Sequence, residues 1–277
     1  MAKYVVAVSG GVDSVVLLDM FSQVPGHEII VAHFDHGIRE DSSNDAVFVG
    51  ELAKKYGYVF ETLREELGVG ASEERARERR YEFLRSIALK YDARIVTAHH
   101  SDDALETIAI NLHRGTGWRG LAVLDSTIVR PLIRSTKADL LTYAQRRHLI
   151  WHEDSTNASD AYLRNRLRGH VASLDIDVKK ELLELRDRQI AYKRQIDEEV
   201  RLFVGDGPEY SRYFFSHIPK NVAIECLRAL VGAKLTRPQL ERMLLAVKTA
   251  HPKTLYHAGA GLTLDFTTRN FSLSLLK

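Results

Sequence analysis

The sequence predicts an α/β protein in which a doubly wound parallel sheet is followed by a helical connector and a small α+β domain. Short runs rich in β-branched residues alternate with segments of helical periodicity, which is the pattern of βα units joined into a parallel sheet. We expect strands at residues 4–8, 29–34, 58–63, 94–98 and 127–130. Several of the intervening helices begin with an Asp, Asn or Ser cap. We expect these helices at residues 12–23, 44–56, 72–91, 102–113 and 135–147.

The pattern changes after about residue 170, where a long charged helix is expected at residues 178–202. A Gly-Asp-Gly-Pro sequence interrupts it, two helices are expected after the break, and a β-hairpin or small sheet is expected at residues 254–277. These two later helices are expected at residues 221–231 and 237–249. The changes divide the chain into a doubly wound domain at residues 1–175, a connector at 176–204 and a small domain at 205–277.

The composition is that of an ordinary globular protein. With 277 residues, 45% of them hydrophobic and 27% charged, the chain can bury a sizeable core. No apolar run approaches the roughly 20 residues that cross a membrane, and the start lacks the pattern of a secretory leader, so no membrane partner is expected. The one cysteine, Cys226, excludes an intramolecular disulfide and any CxxC motif, which predicts a cytoplasmic protein. The net charge of +2 does not by itself predict nucleic-acid binding.

A glycine-containing loop, SGGVDS at residues 9–14, lies between the first predicted strand and the first predicted helix. Glycine lets a backbone approach a ligand closely, and the N–H groups and positive dipole of a helix N-terminus attract phosphate. The loop is neither a Walker sequence nor a dinucleotide fingerprint. A turn that merely needs glycine is the alternative, and the surrounding Ser, Asp and Ser favour a phosphate loop.

This loop resembles the pyrophosphate loop of N-type ATP pyrophosphatases, which cleave ATP to AMP and pyrophosphate. The resemblance implies ATP and Mg²⁺ as cofactors, with Asp13 as a catalytic residue that helps to hold the metal ion. It implies that ATP is bound by the residues of the loop, which are Ser9, Gly10, Gly11, Val12, Asp13 and Ser14.

Five further segments resemble those of the tRNA(Ile)-lysidine synthetase family, in the same order and at similar spacing, so that the resemblance covers about residues 1–170. Ala104 departs from the pattern, since the family usually has glutamine there. The chain resembles the short form of the family, without the additional C-terminal domain of longer members. The segments are HFDHGIR at residues 33–39, ERARERRY at 74–81, TAHHSDDALET at 97–107, RPL at 130–132, and EDSTN at 153–157 with RNRLR at 164–168.

The resemblance implies an ATP-dependent ligase that forms a C–N bond. Such an enzyme adenylates C2 of the wobble cytidine in a tRNA(Ile) with a CAU anticodon and replaces AMP with L-lysine, which changes decoding from AUG to AUA. The partners implied are this tRNA and L-lysine, and a homodimer is left open. The alternatives are another tRNA-modifying pyrophosphatase, which uses sulfur or ammonia, and a catalytically silent tRNA-binding protein. A single cysteine argues against the sulfur-using class.

Two acidic residues, Asp103 and Glu106, are spaced i, i+3 in the first turn of a predicted helix that begins beyond a strand. Both side chains can therefore point into the crevice beside Asp13. The alternative is that they only complement the helix dipole. The resemblance places the lysine ammonium against both carboxylates and Mg²⁺ against Asp13 and Asp103.

Basic residues form the last group of candidates. Helical phase places Arg77 and Arg80 on or beside the apolar stripe of the predicted helix at residues 72–91, which favours an anion as their partner over solvent, and Arg79 on the opposite face. We assign Arg77 and Arg80 catalytic roles, although a structural ion pair is the alternative. His33 is expected beside the adenine, because no third ligand at motif spacing supports a metal site with His36. The tRNA contacts are assigned to Arg164, Asn165 and Arg168. The alternatives are that these residues close the active site or form a solvated helix start.

Overall fold

Four parallel strands form the centre of the first of two compact units, Met1–Ile190 and Ala191–Lys277. The computed structural model describes residues 1–37, 42–68, 72–152, 163–205, 207–232 and 235–275. The strand order is β3-β2-β1-β4, so the order reverses between β1 and β4 and opens a crevice beyond their carboxyl ends. The strands span Ala2–Ala7 (β1), His27–Asp35 (β2), Val59–Arg64 (β3) and Arg94–Val96 (β4).

Helices cover both faces of this sheet, which confirms the doubly wound prediction. Neighbouring residues of β1 face opposite sides, and both Val5 and Val6 are fully buried. Val6 packs in a core with α1, α2 and α5, and Val5 packs in a core with α3. The helices of this unit span Val12–Ser22 (α1), Ser42–Tyr56 (α2), Glu73–Tyr91 (α3), Ser101–His113 (α4), Lys137–Arg146 (α5), Leu163–Ala172 (α6) and the first part of Ile176–Val204 (α7).

The predicted fifth strand at residues 127–130 is wrong. This segment makes only an isolated parallel bridge between Val129 and Val96, with the Val129 amide 2.9 Å from the Ile95 carbonyl oxygen. Pro131 follows directly, and proline has no N–H group with which to continue a ladder. The chain therefore turns away from the sheet at the end of β4.

A buried carboxylate on α1 joins three helices. Asp19 accepts hydrogen bonds from the hydroxyls of Tyr56 on α2 and Tyr143 on α5, each at 2.8 Å, and from Arg147 Nε at 3.1 Å. Burial alone would raise the pKa of Asp19, but these donors outweigh it and hold the pKa below its ordinary value. The network fixes α1, and with it the loop at its N-terminus, against its neighbours.

The second unit is α+β, as predicted. Its antiparallel sheet has the order β5-β8-β7-β6, and its core includes the fully buried Cys226. No helix within the described ranges is long and apolar enough to span a membrane. The elements of this unit are Tyr210–Ser211 (β5), Arg212–His217 (α8), Lys220–Val231 (α9), Arg237–Thr249 (α10), Leu255–Gly259 (β6), Leu262–Phe266 (β7) and Asn270–Leu275 (β8).

Candidate active site

The predicted phosphate loop connects β1 to α1 and is held by its own side chains. Ser14 Oγ donates a hydrogen bond to the Gly11 carbonyl at 2.9 Å and accepts one from the Ser9 amide at 3.2 Å. Gly10 has φ +96°, a conformation that glycine adopts far more readily than other residues. Gly11 is the N-cap of α1 and makes no side-chain cap hydrogen bond, and the Ser14 amide bonds the Gly11 carbonyl at 3.1 Å. The amides of Val12 and Asp13 are therefore the first-turn N–H groups that are available to an anion.

Asp13, in the first turn of α1, pairs with a lysine that lies 124 positions later in the chain. Lys137 Nζ, at the start of α5, lies 2.7 Å and 2.9 Å from the two carboxylate oxygens of Asp13. The imidazole Nε2 of His100 lies 3.7 Å from Asp13. The same His100 nitrogen lies 3.5 Å from Asp103, so the structure brings the loop and the N-terminus of α4 together around one imidazole.

Three carboxylates surround the buried His100. Burial alone would lower the pKa of His100, but Asp102, Asp103 and Asp13 outweigh that effect and raise it. In return, His100 lowers the pKa of Asp102, against the effect of burial and helped by the backbone amide of Lys137, which lies 2.7 Å from the carboxylate. Asp103 accepts a hydrogen bond from the His100 amide at 2.9 Å. This cluster therefore holds several acidic groups in a small volume beside the loop.

Glu106, the second acidic residue predicted on α4, pairs with a residue that was predicted to contact RNA. Arg168 Nε on α6 lies 2.8 Å from Glu106 Oε1. The Glu106 side chain is 5% exposed, whereas that of Arg168 is 41% exposed. A residue predicted to bind lysine and a residue predicted to bind RNA therefore contact each other. The other two predicted RNA contacts, Arg164 and Asn165, have side chains outside the described residues.

The two arginines predicted to be catalytic flank one ring on α3. The guanidinium carbons of Arg77 and Arg80 lie 5.0 Å and 5.6 Å from the centroid of the buried Tyr81. Arg79, which helical phase places on the opposite face, has a side chain that is 42% exposed. Its Nε lies 3.0 Å from Glu65, and it also pairs with Glu82. Arg79 therefore forms ion pairs, whereas Arg77 and Arg80 lie near the Tyr81 ring.

His33, expected beside the adenine, lies at the carboxyl end of β2. Its Nδ1 is 2.8 Å from the carbonyl oxygen of Val8, the residue before the loop, and its buried Nε2 has no hydrogen-bond partner among the described residues. Burial and the charge of Arg80 lower the pKa of His36. Within the described ranges, no group of three His, Cys, Asp or Glu side chains is arranged to hold a metal ion.

Sequence reasoning missed several residues of this region. Lys137 occupies the first turn of α5, where the helix dipole disfavours a cation, and that unfavourable position was the available signal. His100 and Asp102 lay within a segment used for the resemblance but were given no role. Asp45 on α2 and His152 contact each other beside Gly10, and nothing in their sequence positions indicates this contact.

Comparison with the sequences of known proteins identifies the kind of domain to which this loop belongs. A family profile described as the PP-loop domain matches residues 1–174. The chain is 37% identical over 214 residues to a tRNA(Ile)-lysidine synthase from Bacillus cereus, covering 70% of this chain and 44% of that protein. It is 41% identical over 178 residues to a tRNA(Ile)-lysidine synthase from Thermus thermophilus, covering 61% of this chain and 35% of that protein. The match thus spans less than half the length of each relative.

Among solved structures, the U34-tRNA thiolase NcsA from Methanococcus maripaludis has a TM-score of 0.53 at 17% identity, covering 70% of this chain and 71% of that one. At this identity the likeness concerns the fold alone. The phosphate loop between β1 and α1, the strand order around it and the matching profile over most of the first unit lead to one conclusion: the chain belongs to the PP-loop family.

Proposed function

We propose that this chain is a tRNA(Ile)-lysidine synthase, an ATP-dependent ligase that modifies the wobble cytidine of a tRNA(Ile) with a CAU anticodon. The observation that carries the proposal is the meeting of Asp13 and Asp103 at His100, within 3.7 Å and 3.5 Å. It brings a phosphate loop and an acidic pocket into contact, which suits a reaction between ATP and a cationic amine. The named relatives add support, since both are tRNA(Ile)-lysidine synthases.

In the first step, the cytosine O2 forms a bond to the α-phosphorus of ATP and the bond to the pyrophosphate oxygen breaks. The loop of residues 9–14 holds the departing pyrophosphate through backbone N–H groups, which need no reorganisation as charge develops. A magnesium ion, when bound, spreads the negative charge of the phosphates. The carboxylates of Asp13 and Asp103 fit such an ion chemically, because both are hard oxygen donors near one point.

In the second step, the ε-nitrogen of L-lysine forms a bond to C2 and the C2–O bond to AMP breaks. Asp103 and Glu106 bind the lysine ammonium and orient it. Glu106 suits this role because it is a buried carboxylate whose present partner, Arg168, is a cation on a half-exposed side chain. The amine must lose a proton before it attacks, since an ammonium has no free electron pair.

Arginines complete the proposed site. Arg77 and Arg80 neutralise phosphate charge during the first step. His33, whose buried Nε2 has no hydrogen-bond partner among the described residues, lies beside the adenine. Arg164, Asn165 and Arg168 contact the RNA. We assign catalysis to residues 1–175, the connector to 176–204 and further tRNA contacts to 205–277. We place the protein in the cytoplasm, where its tRNA and ATP substrates are found.

Sulfur transfer is less well supported. The only cysteine of the chain, Cys226, is fully buried in the core of the second unit, and burial raises the pKa of its thiol. A thiol in that environment is a poor nucleophile. The likeness to a U34-tRNA thiolase therefore adds no argument for thiolation of this chain's substrate.

The test is direct. Purified protein, Mg-ATP and labelled L-lysine are incubated with a tRNA(Ile) transcript bearing CAU or with the methionine tRNA that shares this anticodon. We expect label in the first tRNA only, together with AMP and pyrophosphate. If ammonia or a sulfur donor yields a modified base while lysine does not, the substrate assignment is wrong and the adenylation chemistry survives.

A further inference from the structure

The phosphate loop accepts a hydrogen bond from a residue that follows α5 in the sequence. The backbone amide of His152 donates a hydrogen bond of 3.0 Å to the carbonyl oxygen of Gly10. Gly10 and Gly11 are adjacent, so the peptide between them has little steric restraint on its orientation. The hydrogen bond from His152 fixes the direction of the Gly10 carbonyl and therefore the orientation of this peptide.

Holding this carbonyl also aims an amide. The described peptide bonds are all trans, and in a trans peptide the C=O and the following N–H point in opposite directions. Because the Gly10 carbonyl points towards His152, the Gly11 amide points away from it, into the loop. Inside the loop this amide has only a long contact of 3.4 Å to Ser9 Oγ. It is thus well placed to donate to a phosphate.

His152 is itself fixed by α2. Its Nδ1 lies 2.7 Å from Asp45 Oδ1, and its ring stacks on Phe48 with centroids 4.3 Å apart and planes 23° apart. Asp45 and Phe48 are spaced i, i+3, so they share one face of α2. That face also touches the loop, since a Cβ placed on Gly10 would lie 3.6 Å from Phe48 and 3.9 Å from Asp45.

We infer that His152 and Asp45 are positioning residues for ATP, which hold the Gly10–Gly11 peptide so that its amide faces the pyrophosphate group. The inference rests on the proposed use of the loop for ATP. Neither residue touches the nucleotide in this scheme. Their contribution is the orientation of one backbone donor, which costs no reorganisation when pyrophosphate departs.

A purely structural role predicts a different result. If the pair only stabilised the fold, its removal would lower the melting temperature and leave the affinity of the folded protein for phosphates unchanged. If the pair positions the loop, the affinity of the folded protein for ATP and for inorganic pyrophosphate falls. Phosphate affinity and the melting temperature, measured on the same variants, therefore separate the two roles.

The experiment measures binding of Mg-ATP and of magnesium pyrophosphate by calorimetry, together with the melting temperature. The variants are His152→Ala, His152→Asn and, as a control, His113→Ala, an exposed histidine at the end of α4. An asparagine amide nitrogen can replace Nδ1 as the donor to Asp45. We expect His152→Ala to weaken both ligands about tenfold, the effect of losing one well-aimed donor to a charged acceptor. His152→Asn should restore most of the affinity, and the control should match the wild type.

Equal affinities in the wild type and His152→Ala overturn the inference, as does a weakened His152→Ala whose affinity is not restored by His152→Asn at the same melting temperature. A wild-type protein that binds neither ATP nor pyrophosphate contradicts the proposed function itself. These outcomes are distinguishable because binding is measured without lysine or tRNA.

Discussion

Lys137 Nζ lies within 2.9 Å of both carboxylate oxygens of Asp13, although 124 positions separate the two residues. The ammonium neutralises the carboxylate beside the phosphate loop. Because the Lys137 side chain is 44% exposed, it can move to another anion without a large change in packing. Under the proposed function, arrival of ATP offers the ammonium a phosphate and leaves Asp13 for the metal ion.

Lys137→Met should therefore weaken ATP binding and leave stability nearly unchanged. The substitution keeps the length of the side chain and removes its charge. We expect the KM for ATP to rise about tenfold, while the free energy of unfolding changes by about 1 kcal/mol or less, as for other partly exposed ion pairs. Pyrophosphate release as a function of ATP concentration measures the effect, with Lys137→Arg as the charge-preserving control. An unchanged KM for ATP in Lys137→Met would show that Lys137 only pairs with Asp13.

Gly10→Ala and Gly11→Ala should differ in stability although the glycines are neighbours. Gly10 has φ +96°, where a Cβ is strained, whereas Gly11 has φ −73° and ψ 159°, which any residue adopts. We expect Gly10→Ala to lower the free energy of unfolding by about 1 to 2 kcal/mol more than Gly11→Ala. Urea denaturation measures both. Equal losses would mean that the loop relaxes around the added methyl group.

Glu106→Gln and Arg168→Ala should change lysine binding in opposite directions. The first removes the negative charge proposed to bind the ammonium, so lysine binding weakens by about 1 to 3 kcal/mol. The second removes the guanidinium that now occupies this carboxylate, so the KM for lysine falls while the Kd for tRNA rises. Steady-state kinetics with varied lysine gives the KM for lysine of both variants, and a tRNA-binding titration gives the Kd for tRNA. A rise in the KM for lysine in Arg168→Ala would refute the competition between them.

Arg77→Ala and Arg80→Ala should reduce activity more than Arg79→Ala, because Arg79 is engaged by Glu65 and Glu82. Loss of that exposed ion pair should leave stability nearly unchanged. The measurement is the rate of AMP formation at equal folded fraction. Similar losses in all three variants would show that the face of α3 does not separate their roles.

Asp19→Asn should destabilise the protein by about 2 to 4 kcal/mol at neutral pH, because it leaves buried donors with a weaker acceptor. The pKa of Asp19 is lowered in the folded state, so its contribution is present above the pKa of an unfolded aspartate, about 3.9, and is lost as the pH falls through the lower folded value. The difference between Asp19→Asn and the wild type should therefore shrink below about pH 4. Denaturation at a series of pH values tests this, and a constant difference would contradict it.

Local patterns were enough to predict much of the fold. The β-branched runs gave β1 to β4 because buried parallel strands require them, and the glycines of the phosphate loop marked the turn into α1. Two of the differences from the prediction have physical reasons. The segment at 127–130 has strand composition but is followed by Pro131, and α8 has only six residues, Arg212–His217, too few for a helical period to be visible.

The candidate site was predicted only in part, because some of its contacts depend on how helices dock. Asp13, Asp103 and Glu106 follow from their positions at helix N-termini beyond strands. The partner of Glu106, Arg168, lies 62 positions away, and no periodicity in either helix predicts that they meet. Lys137 reaches Asp13 only because α5 packs against α1.

The loop that begins this unit is completed by residues near its end. Besides the Lys137 contact, Asp45 and His152 are 107 positions apart, and Asp19 and Arg147 are 128 apart. During synthesis, a nascent chain that ends before these residues carries the SGGVDS sequence without the contacts that hold this loop in place. Such distant contacts form late, because the loop-closure entropy must be overcome first. We therefore expect a growing chain to acquire affinity for ATP only after these distant residues have left the ribosome, so that nucleotide binding reports that the contacts around the loop have formed.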